Sequence, residues 1–176
     1  MASTSRTLDP DSLGDHIDRL FRAAWALCGS RADAEDLVQE TFARVLLKPR
    51  RMQKDDDFGY LLHALRNTFF SSRRAAARRL APGAIPEGFD LADPSTATRP
   101  ELAAEANEVF AVIASLPDVY RDALVAVDVA GLSYAEAAEA LGTKEATITS
   151  RLFRARAQVV RGMESAPSGV QEVENG

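Results

Sequence analysis

Ser133 to Val160 reads SYAEAAEALGTKEATITSRLFRARAQVV, and its punctuation decides the fold of this region. Ser133 is followed three residues later by Glu136, a capping box in which each side chain satisfies a backbone donor at a helix start. Ala137, Ala138 and Leu141 form the apolar stripe of that helix. Gly142 supplies a turn, and Thr143 is placed to cap a second helix running to about Val160. The spacing is that of a helix-turn-helix. At about 100° per residue, Ile148, Leu152, Ala155 and Val159 share one narrow face, expected to be the buried one. Ser150, Phe153, Arg154 and Ala157 point the opposite way. An outward phenylalanine beside an arginine and a serine suits a major groove, where the ring can touch a thymine methyl while arginine takes guanine. Lys144, Thr147, Arg151 and Arg156 lie on the flanks and suit phosphates. The plainer alternative is a helical hairpin with a basic surface.

A net charge of −5 over 176 residues looks wrong for such a role until the charges are placed along the chain. Lys48 to Leu80 holds nine Lys or Arg against three Asp, and Thr143 to Gly162 holds five against one. Everything else is acidic, most of all Ala81 to Gly142, whose balance is −9. Two basic islands in an acidic chain predict weak binding to duplex DNA by the protein alone, because acidic segments repel phosphates and counterion release is limited. A partner is therefore expected. Cys28 is the single cysteine, which excludes an internal disulfide and a cysteine zinc cluster and reads as a small core residue. The N-terminal residues lack the apolar run of a signal peptide, and no segment has the length of a membrane span, so a soluble, cytoplasmic protein is expected.

Upstream, Leu13, Ile17, Leu20, Phe21, Ala24 and Leu27 recur at helical spacing, and Gly29 ends that first helix. Ser30 with Asp33 marks the cap of a second helix that runs to about Leu47, before Pro49. The segment PRRMQKDDD, Pro49 to Asp57, reads as a loop. From Phe58 a third long helix carries Phe58, Leu61, Leu62, Leu65 and Phe69, then a cationic end at Arg73, Arg74, Arg78 and Arg79. Residues 81–100, with four prolines and two glycines, read as a linker. Glu101 to Ser115 and Pro117 to about Ala130 are two further helices leading into the helix-turn-helix. With no strand pattern, the expected fold is all-α: a helical domain over residues 1–80, the linker, a second helical domain over 101–163, and a disordered tail over 164–176.

Taken together, the chain resembles the extracytoplasmic-function (ECF) sigma factors of bacterial RNA polymerase, from about Leu13 to Met163. The resemblance rests on DAEDLVQETFARVL (Asp33 to Leu46), YLLHALRNTFF (Tyr60 to Phe70) and LPDVYRDALVAVDVAGLSYAEAAEALG followed by TITSRLFRARA. It implies that Asp36, Gln39 and Glu40 grip the clamp helices of core RNA polymerase. The helical wheel agrees, since Leu37, Thr41 and Val45 would face inward and these three outward. It implies that Asn67 contacts the minus-ten element, aided by Arg73, Arg74, Arg78 and Arg79 on backbone phosphates. The loop with Arg50, Arg51 and Lys54 would hold an extruded base, although it lacks the aromatic that usually makes a stacking platform. Ser150, Phe153 and Arg154 would read the minus-thirty-five element, and Thr149 stands where relatives often carry a basic residue. Tyr60, where many relatives have tryptophan, reads as core. The implied partners are the clamp of the largest polymerase subunit, the upstream flap of the second-largest, promoter DNA, and an anti-sigma protein.

Two other functions compete. A transcriptional regulator with a helical N-terminal sensor could use the same helix-turn-helix. An enzyme is disfavoured: His16 and His63 are isolated, and no nucleophile–base set or glycine-rich phosphate loop is visible, so neither catalysis nor a cofactor or metal is expected.

Overall fold

The structure is a computed structural model that describes residues 6–8, 10–48, 51–52, 56–79 and 100–165. The described residues form seven α-helices: α1 (Leu13–Cys28), α2 (Arg31–Leu47), α3 (Asp57–Arg79), α4 (Pro100–Ala114), α5 (Asp118–Leu124), α6 (Tyr134–Ala140) and α7 (Glu145–Ser165). The all-α reading holds, with one small addition. Strands β1 (Arg6–Thr7) and β2 (Arg51–Met52) pair antiparallel, Arg6 opposite Met52. A two-residue ladder is too short to leave a period in the sequence. The remainder of the expected Pro49 to Asp57 loop falls largely outside the described residues, as do Arg50, Lys54 and the side chain of Arg51; so do residues 81–99 and 166–176.

Helix boundaries follow local chemistry. Gly29 adopts φ 75°, and its amide donates to Trp25 O at 2.7 Å, closing α1 with the left-handed residue that glycine best supplies. Ser30 Oγ accepts from the Asp33 amide at 3.4 Å at the start of α2. Asp56 does the same for α3, accepting from the Gly59 amide at 2.8 Å. The capping box at α6 is complete: the Ser133 amide donates to Glu136 Oε2 at 2.7 Å and the Glu136 amide to Ser133 Oγ at 3.2 Å. Thr143 is not the cap of α7. That helix starts at Glu145, and the Thr143 amide donates back to Ala138 O across the turn.

Helix α1 is the hub, touching α2, α3, α4 and the π-helical turn Val125–Val129. Ala23, Ala24, Trp25, Ala26 and Leu27 are all buried, a wider face than an amphipathic stripe provides. Ile17, by contrast, is 45% exposed, because the first turns of α1 are not covered on that side among the described residues. In α3 the expected stripe of Phe58, Leu61, Leu62, Leu65 and Phe69 is buried throughout. The helix expected from Pro117 to Ala130 is split: after α5 the bonding slips to i→i+5, with the Ala130 amide donating to Val125 O at 2.8 Å. A run as uniformly apolar as ALVAV carries no phase from which that slip could be read. The buried residues of both halves join in one cluster, running from Leu20, Leu61 and Leu65 to Val125, Ile148 and Leu152.

Leu65→Ala removes a fully buried side chain from α3 and should cost about 2–5 kcal/mol, from the lost burial together with the cavity left behind. Guanidinium denaturation of the two chains measures this, and a loss well under that range would mean that α1 and α3 collapse onto the gap.

Candidate nucleic-acid and partner interfaces

The α2 face is set by its buried opposite side, Leu37, Thr41 and Val45, with Thr41 Oγ1 returning its proton to Leu37 O at 2.7 Å. Asp36, Gln39 and Glu40 are consequently exposed. Glu40 is partly engaged, accepting from Arg44 Nη2 at 2.6 Å and from Ser72 Oγ at 3.4 Å. Asp36 and Glu40 line an open groove of about 550 Å³ together with Leu27, Leu37, Phe69 and Arg121. Cys28 also lines it. Burial, helped by Asp33 and opposed by Arg121, pushes that thiol up to about 12, so it stays protonated at neutral pH.

On α3, Asn67 is exposed and joined to His63 through an Nδ2 to Nε2 contact of 2.9 Å. His63 Nδ1 lies 3.1 Å from Ala140 O. A carbonyl can only accept, so Nδ1 carries the proton and Nε2 is left to receive one from the Asn67 amide. The histidine that looks isolated in the sequence therefore bridges α3 to the end of α6. Arg73 Nη1 meets Asp118 Oδ1 at 3.2 Å, whereas Arg74 reaches only Ser71 Oγ at 3.5 Å.

On α7 the buried stripe is Ile148, Leu152 and Ala155, with Val159 half-buried at its end. The opposite face exposes Ser150, Arg154 and Phe153, the last of them 76% exposed. The hydroxyls of Thr149 and Ser150 donate to Glu145 O at 3.1 Å and Thr147 O at 3.0 Å, so each keeps lone pairs for an incoming donor. Arg154 Nη1 donates to Tyr120 Oη at 3.3 Å. Lys144 is exposed; Thr147 and Arg151 are half-buried. Arg156 departs from the picture of a free flanking cation. Its Nε and Nη2 donate to the two carboxylate oxygens of Asp128 at 2.9 and 2.7 Å, a bidentate pair with the π-helical turn.

Sequence reasoning missed the charged seam between the halves. Arg66 Nε donates to Asp122 Oδ2 at 2.7 Å, and the Asp122 side chain is only 3% exposed. Arg121, equally buried, donates from Nη2 to Asp118 Oδ1 at 2.7 Å and lies 5.0 Å from the Phe69 ring centroid. Three charged residues, Asp118, Arg121 and Asp122, inside the otherwise apolar LPDVYRDALVAV were the available signal. Burial raises the Asp122 carboxyl above its usual range, with Asp118 adding to the rise and the pairing with Arg66, together with the nearby Arg121, opposing it.

The fold and these faces define an all-α DNA-binding protein of the helix-turn-helix class, with a second polar face on α2. Residues 13–79 match the family model for Sigma-70 region 2, and residues 106–159 that for Sigma-70, region 4. The ECF RNA polymerase sigma factor SigE of Mycolicibacterium smegmatis is 36% identical over 148 residues, covering 82% of this chain; the chain spans 57% of SigE. The ECF RNA polymerase sigma factor EcfG of Rhodopseudomonas palustris is 34% identical over 156 residues, covering 85% of this chain and 83% of EcfG. The sigma factor RpoE from Bartonella quintana, solved in complex with the anti-sigma factor NepR, shares the fold, with a TM-score of 0.66 over 90% of this chain and 99% of that one at 24% identity. The chain belongs to the ECF RNA polymerase sigma factors.

Because the folded Asp122 carboxyl binds its proton more tightly than the unfolded one, its contribution to stability is full below the ordinary aspartate range and is lost as pH rises through the raised folded value. Asp122→Asn should abolish that component. Denaturation midpoints of both chains across the acid range test it, and a difference between them that does not vary with pH would place the ionisation elsewhere.

Proposed function

We propose that this chain is a promoter-specificity subunit: it binds core RNA polymerase, directs it to a two-part promoter and assists melting. The observation that carries the reading is the outward face of α7, where Phe153 is held in solvent between Ser150 and Arg154 while the opposite stripe is fully packed. An exposed phenylalanine on a well-packed helix loses hydration cost only when something covers it, and a thymine methyl in a major groove does so. In this reading α2 supplies the polymerase contact through Asp36, Gln39 and Glu40. Asn67, Arg73 and Arg74 serve the minus-ten strand with Arg50, Arg51 and Lys54, and the α6–α7 unit serves the minus-thirty-five duplex. In this reading the chain divides into a domain at residues 1–80 and another at 101–163, joined by the linker, a division supported by the separate matches over residues 13–79 and 106–159. RNA synthesis belongs to the polymerase, and the chain contributes recognition rather than catalysis. Its place of work is the cytoplasm, where polymerase and promoter are, in keeping with the finding that no helix among the described residues is long and apolar enough to cross a membrane. An anti-sigma protein is the expected regulator, as the NepR complex of RpoE illustrates for that protein.

In vitro transcription with core polymerase on a promoter library tests the reading as a whole: transcripts that depend on this chain and start downstream of a common two-part sequence are expected, and none would refute it. Within that assay, replacing Asp36 and Glu40 by Arg should weaken the complex with core polymerase by about 2–5 kcal/mol without loss of helix, provided the carboxylates are desolvated there. Undiminished co-purification of the double variant would take this face out of the interface.

Arg154→Ala should lower affinity for the preferred upstream duplex roughly tenfold or more and relax selection at one base pair, whereas Arg151→Ala should weaken all sequences alike. Binding to a randomised upstream-element library separates the two behaviours. A uniform loss for Arg154→Ala would make it a phosphate contact.

A further inference from the structure

Arg154 and Arg156 stand two residues apart on α7, and their guanidinium groups are held in different ways. Arg156 spends hydrogens of Nε and Nη2 on the two carboxylate oxygens of Asp128, at 2.9 and 2.7 Å. Those nitrogens make the side-on fork of an arginine, one of the edges that can grip O6 and N7 of guanine, so here that fork is closed and its charge is matched. Arg154 instead gives a hydrogen of Nη1 to the Tyr120 hydroxyl at 3.3 Å. Nη1 lies on the Cδ side of the group, so whichever of its two hydrogens it gives, the fork of Nε and Nη2 stays whole. The acceptor is neutral as well, which leaves the full positive charge for DNA.

That acceptor is itself fixed. Tyr120 lies in the first turn of α5, where its amide donates to Pro117 O at 2.9 Å, and its half-buried ring packs against the hydrophobic cluster. Helix α5 packs on α7, and both residues fall within the region matched over 106–159, so the pair is local to one unit. An arginine at so exposed a position otherwise samples many rotamers, and that freedom is lost on docking. Resting on the reading of Arg154 as a base-reading residue, we propose that Tyr120 is a positioning residue that sets specificity: its hydroxyl, on a ring anchored in α5, holds the Arg154 guanidinium so that the free fork meets guanine in the upstream element. Tyr120 acts through Arg154 and touches no base. Its loss therefore lowers discrimination at one base pair, while the sequence-blind phosphate contacts elsewhere on the unit are untouched.

Transcription by core polymerase carrying the full chain, on a promoter library randomised at the upstream element, tests the pair. Tyr120→Phe removes the hydroxyl and keeps the packed ring. Preference for guanine at the position that Arg154→Ala relaxes should fall several-fold, with transcription from promoters carrying another pair there close to the wild-type level. In an Arg154→Ala background the same change should alter nothing, because the hydroxyl then has no guanidinium to hold. Base ratios are the readout, so a smaller folded fraction, which lowers every transcript alike, does not disturb the comparison. Unchanged guanine preference in Tyr120→Phe, where Arg154→Ala relaxes it, overturns the proposal. A uniform loss across all sequences that persists without Arg154 makes Tyr120 a DNA contact in its own right and overturns it as well. If Arg154→Ala leaves selection intact at every position, the reading of Arg154 falls, and the proposal with it.

Discussion

The close approach permitted by the alanines of α1 is the constraint on which the rest of the structure depends. Ala23, Ala24 and Ala26 leave almost no side-chain bulk between this helix and its neighbours, so α2, α3, α4 and the π-helical turn all reach it, with Trp25 and Leu27 filling the wider gaps. Because α1 touches elements from both halves, the hydrophobic cluster is continuous across the molecule. The charged contacts of the seam are arranged around that apolar centre rather than replacing it. A polar seam alone would be a weak tie, since exposed ion pairs such as Arg73 with Asp118 contribute little on their own.

Most of the helices were legible because their signals are local. Ser30 with Asp33, Gly29, and Ser133 with Glu136 each act within three or four residues, and in each case the expected hydrogen bond or dihedral is present. The buried stripe of α3 and that of α7 were legible for a related reason: a single face of period 3.6 packed against one layer leaves a clean record. The same period fails for α1, where several layers surround the helix and burial spreads round it, and for Val125–Val129, where every residue but Asp128 is apolar. The ladder between Arg6–Thr7 and Arg51–Met52 joins segments far apart in the chain and too short for any pattern.

Candidate contact residues divide along the same line. Which way Asp36, Gln39, Glu40, Ser150, Phe153 and Arg154 point follows from the packed side of their own helices, and the structure leaves all six exposed. What they or their neighbours touch is a tertiary fact. Arg156 looked like a free cation because Asp128 lies 28 residues earlier; Arg66 finds Asp122 over a separation of 56. His63 drew attention only as a lone histidine, yet it ties Asn67 to a carbonyl in the other half. A wheel drawn on one helix has no access to such pairs.

The protonated state of Cys28 has a consequence for the kind of signal the molecule can receive. Sulfur reacts with peroxides, with disulfides and with soft metal ions as thiolate, and a thiol held at about 12 offers almost none at neutral pH. This sequence contains no second cysteine to complete a bridge. An oxidant or thiophilic stimulus therefore finds in Cys28 a poor point of entry, and a sensing role for this sulfur is disfavoured by its own environment.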